Sequence, residues 1–229
     1  SPSNRPQAKT ETGIAVPVRL PVVHAAATFH AEGYERFGQE FMESFRRHWP
    51  KETKLWIFAE GCNPAGCDRI IVRDLHEDAT DLVEFKQRHA NNPGARGRFG
   101  ETYQYMLDSV RWSHRIFALR EAALRSDADI LVNIDADIVC FRDMPMEFLA
   151  TLMPSDADIG FMPRKNMYSE CSFVLYNLRN PLVRKFITDH TDYYTHDRIF
   201  QLVRWTDCHA FDAMVAAHRM AGSLKFYNL

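Results

Sequence analysis

Several features that would place a chain in a special class of protein are missing from this sequence. No hydrophobic run approaches the roughly 20 residues of a membrane-spanning helix, and no signal-peptide pattern opens the chain. The 28 basic and 30 acidic residues give a net charge of −2, which argues against a general nucleic-acid-binding protein. No internal repeat or low-complexity segment occurs. The sequence therefore predicts an ordinary globular protein.

The cysteines are too few and too scattered to define a disulfide framework or a zinc site. Their number is odd, and they occupy positions Cys62, Cys67, Cys140, Cys171 and Cys208. We therefore expect a reducing, cytoplasmic setting, either free or peripheral to the inner face of a membrane. The 229 residues, 46% of them hydrophobic, suffice for one domain. We expect residues 1–15 to be disordered or frayed and residues 16–229 to form that domain.

The most informative segment is the pair of carboxylates at Asp135 and Asp137. It follows the apolar run Ile130–Ile134, which predicts a buried strand that ends at the pair. Ligands of open α/β sheets bind outside the carboxyl ends of the strands. Hard carboxylate oxygens suit Mg²⁺ or Mn²⁺, and such an ion can bind the phosphates of a nucleotide. The structural alternative is a pair of turn or helix-capping aspartates.

The tetrapeptide Asp-Ala-Asp-Ile occurs three times, starting at Asp127, Asp135 and Asp156. Only the middle copy has a strand pattern in front of it. The other two copies precede apolar runs, so we interpret them as solvated strand starts. The middle copy is therefore the candidate metal site.

Strand and helix patterns alternate along the chain and predict an α/β fold. Strands are predicted at residues 22–27, 54–60, 69–72, 130–134, 159–162 and 172–176. Helices are predicted at residues 37–49, 75–89, 103–126, 145–152 and 181–194. Residues 89–100 form a predicted loop that carries Arg96 and Arg98, either as a lid over phosphates or as a solvated surface loop. Arg111 and Arg115 share one helix face, which points either to a nucleotide or to solvent.

The order of these segments resembles a known class of enzymes. The strand-borne Asp135-Ala136-Asp137, then a loop, then residues 170–178 resemble the GT-A class of nucleotide-sugar glycosyltransferases, and among them the glycogenin-like transferases. The chain is more similar still to uncharacterised bacterial proteins with a Tyr-Ser-Glu-Cys-Gly-Phe-like stretch and a Trp-His-Asp-Ser-like one. Here those stretches are residues 168–173 and 205–208. The resemblance runs from about residue 22 to the C-terminus.

The resemblance implies a single domain of GT-A fold, with a Rossmann-like mixed central sheet flanked by helices. It implies transfer of a sugar from a nucleotide diphosphate-sugar donor to a glycan, such as a bacterial surface glycan, or to a lipid or protein. Asp135 and Asp137 would bind Mn²⁺ or Mg²⁺. The catalytic carboxylates would be drawn from Asp207, Asp212 and Glu170. The donor would be bound by residues Ala27, Thr28, Phe29, Glu60, Arg98, Arg111, Arg115, Asn133 and Cys171.

The sequence also departs from these relatives. Ser172 and Thr206 replace the Gly and the His of the most similar group. Glycogenin-like enzymes use a late histidine as a third metal ligand, and neither His209 nor His218 has matching neighbours. Either the metal ligands differ from those of glycogenin-like enzymes or the C-terminal end is truncated, and of the two we expect truncation.

Three alternative functions compete with this interpretation. Residues 135–139 fit the first motif of haloacid dehalogenase-type phosphohydrolases, in which Asp135 would be the nucleophile. That motif normally lies near the chain start and is followed by a Gly-Asp-x-x-x-Asp segment, which is missing here. A nucleotidyltransferase would need a Gly-rich basic loop after the first strand, and residues 25–30 lack one. The third alternative is a catalytically inactive, carbohydrate-binding GT-A domain.

Overall fold

A computed structural model describes residues 19–229, and the elements within this range alternate between strand and helix. The strands are β1 (Val23–His30), β2 (Leu55–Glu60), β3 (Ile70–Asp74), β4 (Arg96–Phe99), β5 (Thr102–Asp108), β6 (Ile130–Ile134), β7 (Ile159–Met162), β8 (Glu170–Asn177) and β9 (Phe226–Asn228). The helices are α1 (Ala31–Gly33), α2 (Gln39–His48), α3 (Leu75–Asp78), α4 (Thr80–Arg88), α5 (Ser109–Arg125), α6 (Met146–Thr151), α7 (Pro181–Thr195) and α8 (Asp207–Ala221). A π-helical turn, Tyr34–Gly38, connects α1 to α2.

Two predictions concern the domain boundaries and a membrane-spanning segment. The frayed segment predicted at residues 1–15 lies outside the described residues, and the predicted domain boundaries stay a prediction. Within residues 19–229, no helix combines the length and the apolar character that crossing a membrane requires.

Seven strands form the central sheet, in the order β3-β2-β1-β6-β8-β7-β9. Strands β3, β2, β1 and β6 are parallel to one another, and β8 runs antiparallel to both β6 and β7. The predicted α/β class with a mixed sheet is therefore confirmed. Because β1, β2 and β6 are parallel neighbours, their carboxyl ends meet at one edge of the sheet, at His30, Glu60 and Ile134.

Helices cover both faces of the sheet. Successive residues of a strand point to opposite faces, so Ala26, Phe58 and Leu131 pack toward one layer, which contains α5, α7 and α8. Their neighbours in sequence pack toward the other layer, which contains α2 and α6. All five residues of β6 are buried, which explains why this strand appears as a continuous apolar run in the sequence.

The segment before α5 differs from the prediction. Residues 103–108 were predicted as helix, yet they belong to β5, which pairs with β4 in an antiparallel hairpin. Helix α5 begins only at Ser109, because the Asp108 side chain accepts the Arg111 N–H and caps the helix there. Strand β4 lies inside the predicted loop, so that loop is shorter than expected.

Smaller differences occur elsewhere. Strand β1 continues through Thr28 to His30, where a loop was predicted, and Ala79 divides the predicted helix 75–89 into α3 and α4. Helix α8 and strand β9 were not predicted at all. The short helix α1 also lies in the predicted loop after β1, and the remaining strands and helices lie within a few residues of their predicted bounds.

The three Asp-Ala-Asp-Ile copies lie where the sequence predicted them. The first precedes β6 and the third precedes β7, whereas the middle copy follows β6 directly. Asp127 and Asp156 are each 74% exposed, as expected for solvated strand starts.

Candidate functional site

A cleft of about 530 Å³ opens at the carboxyl ends of β1, β2 and β6. This is the edge at which open α/β sheets bind ligands. The hairpin β4–β5 and the first half of α5 form the opposite wall. Seven of the predicted site residues line the cleft, namely Thr28, Phe29, Glu60, Arg111, Arg115, Asp135 and Asp137.

Arg115 joins two carboxylates at the base of the cleft. Its Nη2 lies 2.6 Å from Oδ1 and 2.8 Å from Oδ2 of Asp135, and its Nη1 donates to Oδ2 of Asp207 at 2.8 Å. Nη1 also donates to the carbonyl oxygen of Cys171 at 3.2 Å. Hydrogen bonds between ionised groups are the stronger kind, and the planar guanidinium can span two acceptors at once. Arg115 on α5 thereby links the residue that follows β6 to residues of β8 and α8.

Burial dominates the electrostatics of this group. It raises the pKa of Asp135 to about 6, with Arg115 opposing the shift and Asp207 adding to it. Burial would lower the pKa of Arg115, but the two aspartates outweigh it and raise that pKa. The guanidinium therefore stays charged.

Asp207 is the most deeply buried member of the group. Its side chain has no exposed surface, and its Oδ1 has no hydrogen-bond partner among residues 19–229. As the first residue of α8, it lies where the helix dipole favours a carboxylate. The carbonyl oxygen of Asp207 accepts a hydrogen bond from Nε2 of buried His190 at 3.0 Å. Burial lowers the pKa of His190 to about 4, so this imidazole is neutral.

Asn133 and Cys171 support the site from inside the core. The Asn133 side-chain amide donates to the carbonyl oxygen of Cys171 at 3.3 Å, the same oxygen that Arg115 contacts. Both residues are buried, and neither lines the cleft. A hydrogen bond with Cys208 and burial together raise the pKa of the Cys171 thiol, which stays protonated.

A second polar group lies at the end of β2. Nζ of Lys86 is 2.8 Å from Oε1 of Glu60, 3.0 Å from Nε2 of His76 and 3.3 Å from Nε2 of His114. Ligand atoms of Glu60, His76 and His114 lie within 4.8 Å of one another, a spacing that would suit a metal ion. The ammonium of Lys86 already provides the cation of this group. Burial works against ionisation of Glu60, but His114 and Lys86 outweigh it and hold its pKa well below the usual range.

Besides Asn133, Cys171 and Asp207, four predicted site residues do not line the cleft. Ala27 is buried and directly precedes Thr28, which lines the cleft. Arg98 is exposed, and its guanidinium lies over the ring of Tyr103. Glu170 pairs with Arg164 at 3.0 Å, and Asp212 accepts the backbone N–H of Ser169 at 3.0 Å. The binding or catalytic roles assigned to these four residues stay predictions, as do those of the predicted residues that line the cleft.

Arg96, Lys86 and His114 also line the cleft; the sequence placed Arg96 only in a possible lid over phosphates and assigned no donor-binding role to the other two. Arg96 and Arg98 are two residues apart and would share one face of a regular strand. The register of the hairpin shifts between them, at Gly97, whose φ is +68°. This bulge allows Arg96 to face the cleft while Arg98 stays outside. The glycine between Arg96 and Arg98 is the feature of the sequence that could have predicted this bulge.

Comparison with solved structures identifies the fold as that of the GT-A glycosyltransferases. Mouse xyloside xylosyltransferase 1, without ligand, matches with a TM-score of 0.50 and 14% identity, over 90% of this chain and 84% of that one. The bifunctional glycosyltransferase WbbM matches at 0.53 and 10%, over 93% and 40% of the two chains. Ligand-free GlyE from Streptococcus pneumoniae matches at 0.50 and 11%, over 90% and 44%. The chain thus spans less than half the length of the last two proteins.

No protein-family model and no curated protein matches the chain. The GT-A fold predicted from the sequence is confirmed by structure, and the identities of 10–14% extend no further than the fold.

Proposed function

We propose that the protein is a metal-assisted glycosyltransferase that moves a sugar from a nucleotide diphosphate-sugar donor to a glycan, lipid or protein acceptor. One observation carries the proposal: the carboxylates of Asp135 and Asp137 line the same cleft as the cationic Arg96 and Arg111. Such a cleft suits a ligand that combines a divalent cation with phosphates. Its volume of about 530 Å³ falls within the range of small-molecule sites.

The carboxylate oxygens of the cleft fit a hard divalent cation. Asp137 is exposed in the cleft, and its carboxylate makes no hydrogen bond with any residue in the described range. Asp135 offers oxygens of the same kind, although Arg115 contacts both of them. Asp137 would therefore be the principal protein ligand of Mn²⁺ or Mg²⁺, and Asp135 the second. A bound cation would supply positive charge beside the diphosphate of the donor.

The residues of the chain would divide the remaining work. Arg96 and Arg111 would bind the phosphates and stabilise the charge that develops on the leaving diphosphate. Thr28 and Phe29, at the end of β1, would contact the nucleoside. Glu60 is held ionised, so it would accept hydrogen bonds from ribose hydroxyls or base N–H groups.

Asp207 would act through Arg115 rather than on the substrate directly. It is fully buried and does not line the cleft, and it fixes the guanidinium that holds Asp135. We therefore assign Asp207 a positioning role. Glu170 and Asp212 remain candidates for direct contact with a sugar, although each is bound to a neighbouring segment.

The phosphohydrolase alternative is less well supported. It needs Asp135 as a free nucleophile, yet both oxygens of Asp135 lie within 2.8 Å of the Arg115 guanidinium. The inactive carbohydrate-binding domain has the same fold as an active enzyme, so only an activity measurement separates the two.

The test is a thermal-shift screen of UDP, GDP, CDP and TDP, each with and without Mn²⁺. A ligand at about a hundred times its dissociation constant stabilises the protein by roughly 2.7 kcal/mol. We expect a shift for one diphosphate that requires the metal, and its loss in Asp137→Asn. The matched control is Asp156→Asn, because it alters the same tetrapeptide at a site that is 74% exposed and outside the cleft.

Turnover decides between an enzyme and a binding domain. The nucleoside diphosphate that responds should also be released from its sugar conjugates, slowly without acceptor and faster with one. Metal-dependent binding without any release would favour the inactive domain. No binding across the panel, or an Asp137→Asn protein that still responds to metal, would contradict the proposal.

A further inference from the structure

Four apolar residues in succession follow Asp137 and have no regular secondary structure. They are residues 138–141, which we name the apolar loop. Phe141 is 80% exposed and Val139 is 39% exposed. Consecutive apolar residues at a surface forgo the stabilisation that burial would give, and they commonly mark a binding site.

The apolar loop forms one side of a second cavity, of about 260 Å³. The other side consists of Trp49, Ile134 and Phe173. Ile134 also lines the first cleft, which contains Asp135 and Asp137, so the two cavities share the last residue of β6. The second cavity therefore borders the residue that precedes Asp135, on the side from which the acceptor of a transfer reaction could approach the donor sugar.

Among residues 19–229, Arg142 is the only charged residue in the wall of the second cavity. Its guanidinium lies 5.7 Å from the centre of the Phe141 ring, and it forms no ion pair with any residue between 19 and 229. An exposed cation at the rim of an apolar cavity complements a ligand with an anionic group joined to a hydrocarbon chain.

We propose that this cavity binds the hydrocarbon chain of an amphiphilic acceptor whose phosphate group contacts Arg142. The inference rests on the proposed function and deepens it, since it makes the acceptor a phosphate-bearing lipid. The apolar wall would bury the first part of the hydrocarbon chain. The contact between the phosphate and Arg142 would place the end of the lipid that receives the sugar beside Asp135. A free glycan can stack the C–H face of a sugar on Phe141, but it has no hydrocarbon chain to fill the cavity.

The first experiment measures the binding of monomeric alkyl phosphates of increasing chain length by isothermal titration calorimetry, below their critical micelle concentrations. Each methylene that enters an apolar cavity should raise the affinity about fourfold. We expect that rise to stop once the cavity is full, and alkyl alcohols of the same length to bind about fivefold more weakly because Arg142 then has no anion to bind. An affinity independent of chain length would overturn the proposal.

Variants locate the binding site. Phe141→Ser should lower the affinity for a filled-length alkyl phosphate about tenfold, and Arg142→Gln should remove the preference for phosphate over alcohol. Met220→Ser is the matched control, because Met220 is 89% exposed and lies outside both cavities. All three side chains are exposed, so folding should be unaffected. Equal losses in Phe141→Ser and Met220→Ser would show unspecific binding and overturn the proposal.

Two further outcomes separate this inference from the proposed function. If a nucleoside diphosphate binds with Mn²⁺ but alkyl phosphates do not, the acceptor is not a lipid held in this cavity, and the transferase stands. If alkyl phosphates bind but no nucleoside diphosphate does, the cavity is not an acceptor site. Binding to vesicles of phosphatidylcholine and phosphatidylglycerol without binding of monomers would assign the apolar loop to membrane contact and overturn the acceptor role.

Discussion

Removing the Arg115 guanidinium should cost the protein a large part of its stability. The Arg115 side chain is 16% exposed, and its two partners, Asp135 and Asp207, are 26% and 0% exposed. Arg115→Met would leave the fully buried carboxylate of Asp207 without a cation. Breaking a buried ion pair by removing one partner costs about 3–5 kcal/mol. Because Asp135 retains some contact with water, we expect a value near the lower end, about 3 kcal/mol.

A double-mutant cycle separates this electrostatic loss from the loss of packing. Asp207→Asn alone leaves Arg115 paired with Asp135, so it should cost only about 1–2 kcal/mol. The double variant Arg115→Met/Asp207→Asn removes both charges and should be more stable than the sum of the two single losses predicts. We expect a coupling energy of about 1–3 kcal/mol, as for residues in one network.

The assay is equilibrium unfolding in urea at neutral pH. Arg36→Met is the matched control, since Arg36 contacts Glu32 at 3.3 Å with side chains that are 72% and 70% exposed. Exposed pairs of this kind contribute about 0–1 kcal/mol. If Arg115→Met lost no more stability than Arg36→Met, or if the cycle were additive, the argument that this buried pair holds the site together would be refuted.

Three further predictions follow from single positions. Gly97→Ala should lower stability by about 2–3 kcal/mol, because a Cβ there would lie 2.5 Å from the Gln104 carbonyl oxygen, and it should weaken donor binding through Arg96. The control is Gly100→Ala, which has a similar φ of +62° and no atom within 4 Å of its Cβ. It should cost only about 1–2 kcal/mol in thermal unfolding. His190 takes up a proton at pH 6.5 when unfolded but only at about pH 4 when folded, so stability should fall as the pH drops through that window. The loss should approach about 3 kcal/mol, and urea unfolding across this pH range should show a shallower fall in His190→Gln but not in His196→Gln, whose side chain is 68% exposed. Zn²⁺ should stabilise Lys86→Met more than it stabilises the parent protein in a thermal-shift assay, because the cation among Glu60, His76 and His114 is then missing.

The sequence predicted the location of the cleft because its signals there are local. A strand buried on both faces produces a continuous apolar run, as β6 does. The carboxylates of Asp135 and Asp137 follow that run directly, so their place at the carboxyl edge of the sheet follows from the predicted topology. Glu60, at the end of the predicted strand 54–60, likewise lines the cleft, and its role in binding stays a prediction.

What the sequence could not predict depends on contacts between distant residues. The pairing of Arg115 with Asp207 joins positions 92 residues apart, and helix spacing shows only that Arg111 and Arg115 share a face. Strand β5 runs into α5 without a break, so Tyr103 and Tyr105 were assigned to the helix although the hairpin with β4 makes them strand residues. Pairing with a neighbouring strand overrides a local pattern of this kind.

The three Asp-Ala-Asp-Ile copies show why position decides chemistry here. In the copies that precede a strand, the second acid is used by the fold: Asp129 accepts the N–H of Val22 at 2.8 Å, and Asp158 accepts the N–H of Lys225 at 2.7 Å. In the copy that follows a strand, Asp137 lies beyond the sheet edge and makes no hydrogen bond within the range described. The same four residues therefore bind a backbone N–H beside the sheet in two copies and leave a carboxylate without a partner in the third. A free carboxylate at the carboxyl end of a parallel strand is available to a ligand from outside the chain, and for this reason Asp137, rather than Asp129 or Asp158, is the residue whose replacement should abolish the response to metal.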